Sequence, residues 1–255
     1  MSAIEIKDND GIRWLTLNRP DQMNALTVES LVELGEACDA VSNEDSVRCL
    51  VISGAGRAFC SGADVEEWAQ AEASGTLETY GWTEAAHLTM TKLASIPKPV
   101  VAMINGAAVG AGLDLALCCD FRYASEKAKF KAGYTTMAYS PDAGSSWHLP
   151  RIIGLEQAKI FLFYDEAWTA NKALDVGMIT GLFEVNDLKT KVEEFANHLS
   201  TGPTFAYGKI KSLLDSGIQN NFLAQLQKEK EAGLLCGRTE DGKEAIKASI
   251  EKRKP

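Results

Sequence analysis

Two stretches of small residues and three side chains that can hold a proton define the chemistry open to this sequence. The stretches are GAGRAFCSGADVEEW (54–68) and INGAAVGAGLD (104–114), each reading as a turn from a strand into a helix. A helix start leaves backbone N–H groups without intrahelical partners and favours negative charge there. Glycine and alanine let a ligand approach that backbone closely. The spacing of Ser61 and Asp64 has the form of a capping box and predicts a helix start near Gly62, exposing the N–H of Ala63. The second stretch offers the N–H of Ala111. Two such donors converging on one oxygen would hold an enolate or a tetrahedral oxyanion, each contributing on the order of 3 kcal/mol in the transition state. Taken singly, each stretch is also ordinary turn chemistry, and neither has the spacing of a dinucleotide-binding loop.

The proton-holding side chains are Asp114, Tyr134 and Asp142. Asp114 stands in the apolar run LDLALCCD, where burial would raise its pKa as a proton donor requires; a hydrogen-bonded structural carboxylate is the other reading. Asp142, in SPDAGSSW, is either a turn or capping residue or a base. Tyr134, with an ordinary pKa of about 10, can donate a hydrogen bond or wall a pocket, and the wall is the expectation. His87 reads as a helix-surface or core histidine. Six scattered cysteines without a C-x-x-C pair read as small hydrophobes, and with three distant histidines no metal site is expected.

Positioning these groups requires strands feeding helices. Strand-like runs lie at 12–19, 47–54, 97–106 and 121–131, with a helix capped near Thr27 between the first two and a short apolar helix after the second glycine stretch. Amphipathic spacing predicts helices over 155–163, 168–176, 187–200, 203–217, 221–235 and 241–252. With 255 residues and no linker or fixed repeat, the expectation is an α/β core over 1–200 and a helical region over 201–255. A formal net charge of -9 argues against nucleic acid and anionic membrane as partners. No targeting segment is recognisable, so a cytoplasmic protein is expected.

The segments LNRPDQMNAL (17–26), GAGRAFCSGADV (54–65), PKPVVAMINGAAVGAGLDLALCCDFRYASEKAKF (97–130) and SPDAGSSWHLPRIIG (140–154) resemble, in order, the signatures of the crotonase, or enoyl-CoA hydratase/isomerase, superfamily. The resemblance extends into PTFAYGKIK and covers nearly the whole chain. It implies a β-β-α superhelical core with C-terminal helices that build homotrimers, often paired into hexamers. It further implies acyl-CoA thioester substrates, with Ala63 and Ala111 as the two donors to the thioester oxygen. No separate cofactor is implied, coenzyme A arriving as part of the substrate along Ala25, Arg57, Ser61, Ala63 and Val65.

Hydratases of the family carry two glutamates, and the matching positions are Asp114 and Tyr134. Two carboxylates suit hydration, whereas moving a double bond needs one base that takes a proton and returns it two carbons away. Asp142 matches the acid of the family's isomerases, and its segment looks most like the ring-epoxide isomerases of phenylacetyl-CoA breakdown. The expectation is therefore an acyl-CoA isomerase with Asp142 as proton shuttle. The alternatives are a hydratase using Asp114 and Asp142, a dehalogenase-like enzyme with Asp142 as nucleophile and His87 as base, and a non-catalytic binder. Residues 66–96, with Trp68, Tyr80 and Trp82, are expected to shape the acyl pocket for a cyclic or aryl group.

Overall fold

A computed structural model describes residues 2–254. The chain begins with a hairpin of β1 (Ile4–Asn9) and β2 (Ile12–Leu17), turned by Asp10 and Gly11 at φ of 49° and 78°, the left-handed pair such a tight turn demands. Helix α1 (Val28–Asn43) follows, capped by Thr27, whose side chain accepts from the Ser30 amide. The apolar spacing of this helix puts Leu31, Leu34, Cys38 and Val41 on one buried face.

Three strand–strand–helix units come next. The first is β3 (Cys49–Gly54), β4 (Ala58–Cys60) and α2 (Val65–Ala73), followed by α3 (Trp82–Ala94). The second is β5 (Val100–Ile104), β6 (Ala107–Val109) and α4 (Ala111–Leu117). The third is β7 (Phe121–Ser125), β8 (Lys129–Lys131) and, after a loop, α5 (Ser145–Ile153). Then come α6 (Leu155–Tyr164), β9 (Trp168–Thr169), α7 (Ala170–Asp175), β10 (Gly181–Phe183), α8 (Leu188–Ser200), α9 (Thr204–Gly217), α10 (Phe222–Cys236) and α11 (Glu240–Glu251).

The first strand of each unit joins a six-stranded sheet in the order β1-β2-β3-β5-β7-β10, and the second joins a smaller sheet β4-β6-β8-β9. Apart from the antiparallel pairs β1·β2 and β8·β9, all neighbours are parallel. The central parallel strands β3 and β5 are buried on both faces, as parallel strands are, while β1 at the edge keeps most of its residues exposed. Along β3, Leu50 and Ile52 pack with α1 and α3 in the main core, while Cys49 and Val51 meet Val192, Ala196 and Leu199 of α8.

Several boundaries differ from the sequence reading. The run 97–106 yields a strand over Val100–Ile104 only, because Pro97 and Pro99 lack amide hydrogens and Asn105–Gly106 crosses to the small sheet. The run 121–131 divides into β7 and β8 for the same reason of crossing. Trp168 and Thr169 form β9 rather than a helix start, and the Thr169 side chain caps α7 by accepting from the Lys172 amide. Among the described residues no helix is long and apolar enough to cross a membrane. Helices α9, α10 and α11 keep large apolar side chains in solvent, Phe222 at 75% and Leu223 at 77% exposure.

Candidate active site

The small sheet positions the site. Strands β4, β6 and β8 run parallel in adjacent register, Cys60 beside Ala108 and Ala108 beside Phe130. Their carboxyl ends therefore lie together and deliver Ala63, Ala111 and Tyr134 to one place. Open parallel sheets characteristically bind ligands outside the carboxyl ends of their strands.

The first loop does not start its helix near Gly62. Asp64 is the cap, accepting from the amides of Glu66 and Glu67, and α2 begins at Val65. Ser61 is not part of a capping box: its amide bonds the Met23 carbonyl. The reason lies in Gly62, at φ +96°, and in a bridge between Leu26 and Ala63 that keeps residues 62–64 extended. In that bridge Leu26 donates to the Gly62 carbonyl at 2.8 Å and accepts from the Asp64 amide at 3.0 Å. Successive peptide groups of an extended chain point to opposite sides, so the Ala63 N–H faces away from Leu26. Among the described residues it meets no acceptor. Ala111 opens α4, where the helix cannot pair its N–H.

The two loops are in contact. A β-carbon on Gly62 would stand 2.8 Å from the Val109 carbonyl oxygen and 3.5 Å from the Ala111 nitrogen. One on Gly112 would meet the Cys60 carbonyl oxygen at 2.3 Å. Gly62→Ala is accordingly expected to rotate the Ala63 amide and lower kcat by about a hundredfold, with a loss of stability on the order of 1 kcal/mol. Steady-state kinetics beside thermal unfolding checks this, since a variant with wild-type kcat would remove the Ala63 N–H from the chemistry.

A polar scaffold holds the loop. The Arg19 guanidinium donates to the Ala25 carbonyl at 2.6 Å and to Asp64 at 2.9 Å. Buried Asn24 donates to the carbonyls of Ala55, Ala58 and Phe59 and accepts from the Arg19 amide. Burial alone would raise the Asp64 carboxyl, but the Arg19 charge and the helix amides hold it below the usual carboxylate range. Ala25, Ser61, Ala63 and Val65 thus lie on adjoining backbone. Arg57 precedes β4, with its side chain in solvent and no ion-pair partner among the described residues. Asn24, Arg19 and Asp64 were not singled out as site residues; LNRP-x-x-x-N was read only as a family segment.

The acids occupy different environments. Asp114 is fully buried, with Tyr134 donating to Oδ2 and Ser145 donating to Oδ1. Burial pushes its pKa up to about 7, the two hydroxyls pull it back, and the nearby charge of Asp142 adds to the rise. Tyr134, expected as a wall, instead turns its hydroxyl to Asp114, because a buried phenol needs a partner. The same buried position drives the Tyr134 pKa upward. Ser145 was missed; it is the first residue of α5, brought inward by Gly144 at φ +127°. A second missed support is Asp165, which accepts from the Gly133 and Thr136 amides and fixes the loop carrying Tyr134.

Asp142 lies in the turn before α5 and opens, with Ala63, on a cavity of about 340 Å³. Trp68, Tyr80, Trp82 and Tyr139 line the same cavity, and the rings of Trp68 and Tyr139 meet edge to face with centroids 4.7 Å apart. The Tyr80 hydroxyl donates to Glu67 at 2.7 Å, and the Trp82 indole N–H to the Leu26 carbonyl at 2.8 Å, so two of the four rings are anchored. Partial desolvation raises the Asp142 carboxyl above the ordinary range, opposed by the His87 charge and the Tyr134 hydroxyl. His87 Nε2 lies 2.7 Å from the Asp142 carbonyl oxygen. A carbonyl can only accept, so Nε2 carries the hydrogen and cannot serve as a base from that atom. Two larger grooves, of about 950 and 730 Å³, contain none of Ala63, Ala111, Asp114 and Asp142.

Comparison with known proteins places this arrangement. The chain is 34% identical to the 1,2-epoxyphenylacetyl-CoA isomerase of Escherichia coli over 96% of its own length and 94% of that protein. It is 32% identical to 4-chlorobenzoyl coenzyme A dehalogenase-2 of an Arthrobacter species over 84% of its length and 78% of the relative's. The crystal structure of an enoyl-CoA hydratase from Bacillus anthracis superimposes with a TM-score of 0.93 at 32% identity, covering 99% of this chain and 98% of that one. The three names span three reactions. A family model described as Enoyl-CoA hydratase/isomerase matches residues 7–255; with its two-sheet β-β-α core and converging loops, the chain belongs to that family.

Proposed function

We propose that the protein is an acyl-CoA double-bond isomerase in which Asp142 shuttles the proton and the N–H groups of Ala63 and Ala111 hold the thioester oxygen. The observation that carries this reading is the unequal exposure of the two acids. Asp142 opens on the cavity beside Ala63, whereas Asp114 is buried with both oxygens engaged by hydroxyls. Hydration asks two groups to handle the protons of water and of the α-carbon; isomerisation asks one.

The steps balance on one carboxylate. Asp142 takes a proton from C2 of a 3-enoyl thioester, and the electron pair of that C–H bond delocalises onto the thioester oxygen and C4. The dienolate oxygen accepts from Ala63 and Ala111. Asp142 then returns the proton to C4, the double bond now lies between C2 and C3, and the carboxylate is regenerated.

A cyclic or aryl acyl group fits this reading. Four aromatic side chains round the cavity, and its volume of about 340 Å³ is at the small end for a ligand pocket. The name of the E. coli relative, a phenylacetyl-CoA derivative isomerase, supports the same class. The coenzyme A portion enters as part of the substrate along Ala25, Ser61, Ala63 and Val65, with Arg57 available to a phosphate. The apolar side chains that α9–α11 leave exposed support association of copies as a homotrimer or a pair of trimers.

Incubation with a panel of acyl-CoA thioesters in heavy water, read by mass spectrometry, tests the reaction type. The expected product has the substrate's composition apart from exchanged deuterium. A product heavier by one water as the main outcome would replace this reading with a hydratase that uses Asp114 and Asp142.

A further inference from the structure

The base of the proposed reaction stands on a stretch of chain with few fastenings. Upstream, the Tyr139 amide bonds back to the Tyr134 carbonyl; downstream, Gly144 accepts from the Trp147 and His148 amides as α5 begins. Between them lie residues 140–143. Pro141 has no amide hydrogen to give, and among the described residues no backbone–backbone hydrogen bond reaches this segment. Buried Ala143 holds its far end by packing. The main chain of Asp142 is tied to another element by one contact, the hydrogen bond that His87 Nε2 donates to its carbonyl at 2.7 Å. The donor is rigidly mounted. His87 lies within α3, and that helix is fixed to the core on both sides of it. The Trp82 indole donates to the Leu26 carbonyl at 2.8 Å, the Thr89 hydroxyl donates to the Leu31 carbonyl at 2.7 Å, and Ala86 and Met90 are buried between. Leu26 is also the residue whose bridge holds Ala63. His87 therefore ties the turn of Asp142 to the frame that carries one of the two oxyanion donors.

We propose, resting on the isomerase reading, that His87 is a positioning residue: its Nε2–H fixes the main chain of Asp142 so that the carboxylate meets C2 and then C4 of the bound thioester. The ring itself exchanges no proton with the substrate. Its Nε2 is committed to the Asp142 carbonyl, and what it supplies is a fixed distance between the base and the Ala63 amide. A reacting group displaced by about 1 Å can lose on the order of a hundredfold in rate. A turn deprived of its tie to α3 samples such displacements for part of the time, so the expected loss is smaller than that and falls on kcat. The grip on the ligand, made by the Ala63 and Ala111 amides and the aromatic lining, is left in place.

Steady-state isomerisation of 3-hexenoyl-CoA by the unmodified enzyme and three variants is the test. His87→Ala should lower kcat by about tenfold with KM nearly unchanged. The site is an exposed helix position and alanine is the best helix former, so thermal unfolding should stay close to that of the parent. His87→Gln, whose amide N–H reaches about as far as Nε2, should recover most of the loss. His87→Asn carries the same amide on a shorter stem and should behave like the alanine variant. A role in packing alone would not give this dependence on the reach of one N–H. Unmodified kcat in His87→Ala would show the hydrogen bond to be dispensable, and equal impairment of the alanine and glutamine variants would show that the ring acts by exchanging a proton; either result overturns the proposal. Failure of the underlying reading looks different. If the unmodified enzyme leaves this substrate untouched, or Asp142→Asn turns it over at the unmodified rate, the isomerase reading falls and the role of His87 falls with it.

Discussion

Asp142→Asn is expected to lower kcat by about a thousandfold while leaving KM and the affinity for a non-reactive acyl-CoA nearly unchanged. The substitution keeps the side chain's shape and removes only its capacity to take a proton. The groups that would grip the ligand, the Ala63 and Ala111 amides and the aromatic lining, do not depend on it. Kinetics and calorimetric binding measured on one preparation separate the two quantities. A variant that retains more than about a tenth of kcat would end the assignment, because general-base contributions are larger than that. The pH profile of the unmodified enzyme adds a check. Partial desolvation lifts the Asp142 carboxyl, and a base must be ionised to act, so kcat/KM should rise with pH through a value above the ordinary aspartate range.

Asp114→Asn should give the second large effect, on stability rather than turnover. The Asp114 pKa, raised by burial to about 7 in the folded protein from an ordinary 3.8, favours the protonated form in the fold. Its stabilising contribution is therefore fully present below the ordinary aspartate range and is lost as pH rises through about 7. One pKa unit corresponds to about 1.4 kcal/mol, so the unmodified protein should lose on the order of 2 kcal/mol from this site between about pH 5 and about pH 8. Asparagine carries no titrating proton, and hydroxyl rotation lets Tyr134 and Ser145 adjust to the amide. The variant should lack this component of the pH dependence and match or exceed the parent at the alkaline end. Denaturant unfolding at the two pH values measures the difference. Parallel curves for the two proteins would mean that Asp114 is ionised throughout.

What could be read from sequence follows the range over which each interaction acts. The helices α8 to α11, including α8 at Leu188–Ser200 and α10 at Phe222–Cys236, are announced by apolar spacing within a single segment and depart from expectation by a residue or so. The start of α2 is not, because its position is set from outside. Ser61 and Asp64 satisfy a local capping pattern, but pairing of Ala63 with distant Leu26 and the left-handed Gly62 hold the chain extended for three more residues. The short strands β4 and β6 are illegible for the same reason: three residues carry no periodicity, and their pairing spans about fifty positions of sequence. In the site, the apolar company of Asp114 foretold its burial, while its partners Tyr134 and Ser145 lie twenty and thirty-one residues away and emerge only in three dimensions. Trp68, Tyr80 and Trp82 are expected around an acyl pocket; Tyr139, whose ring meets Trp68, joins them only once the loop before α5 is folded.

The oxyanion cradle is made of main chain. No substitution at Ala63 or Ala111 short of proline can delete an N–H, so the part of the site that steadies a thioester enolate is shielded from most point mutations. In the reaction proposed above, the group that moves the proton is the side chain of Asp142, replaceable by a single codon change without disturbing the strands beneath. A lineage built on this backbone can therefore trade one acyl-CoA reaction for another while its hold on the shared intermediate is inherited intact.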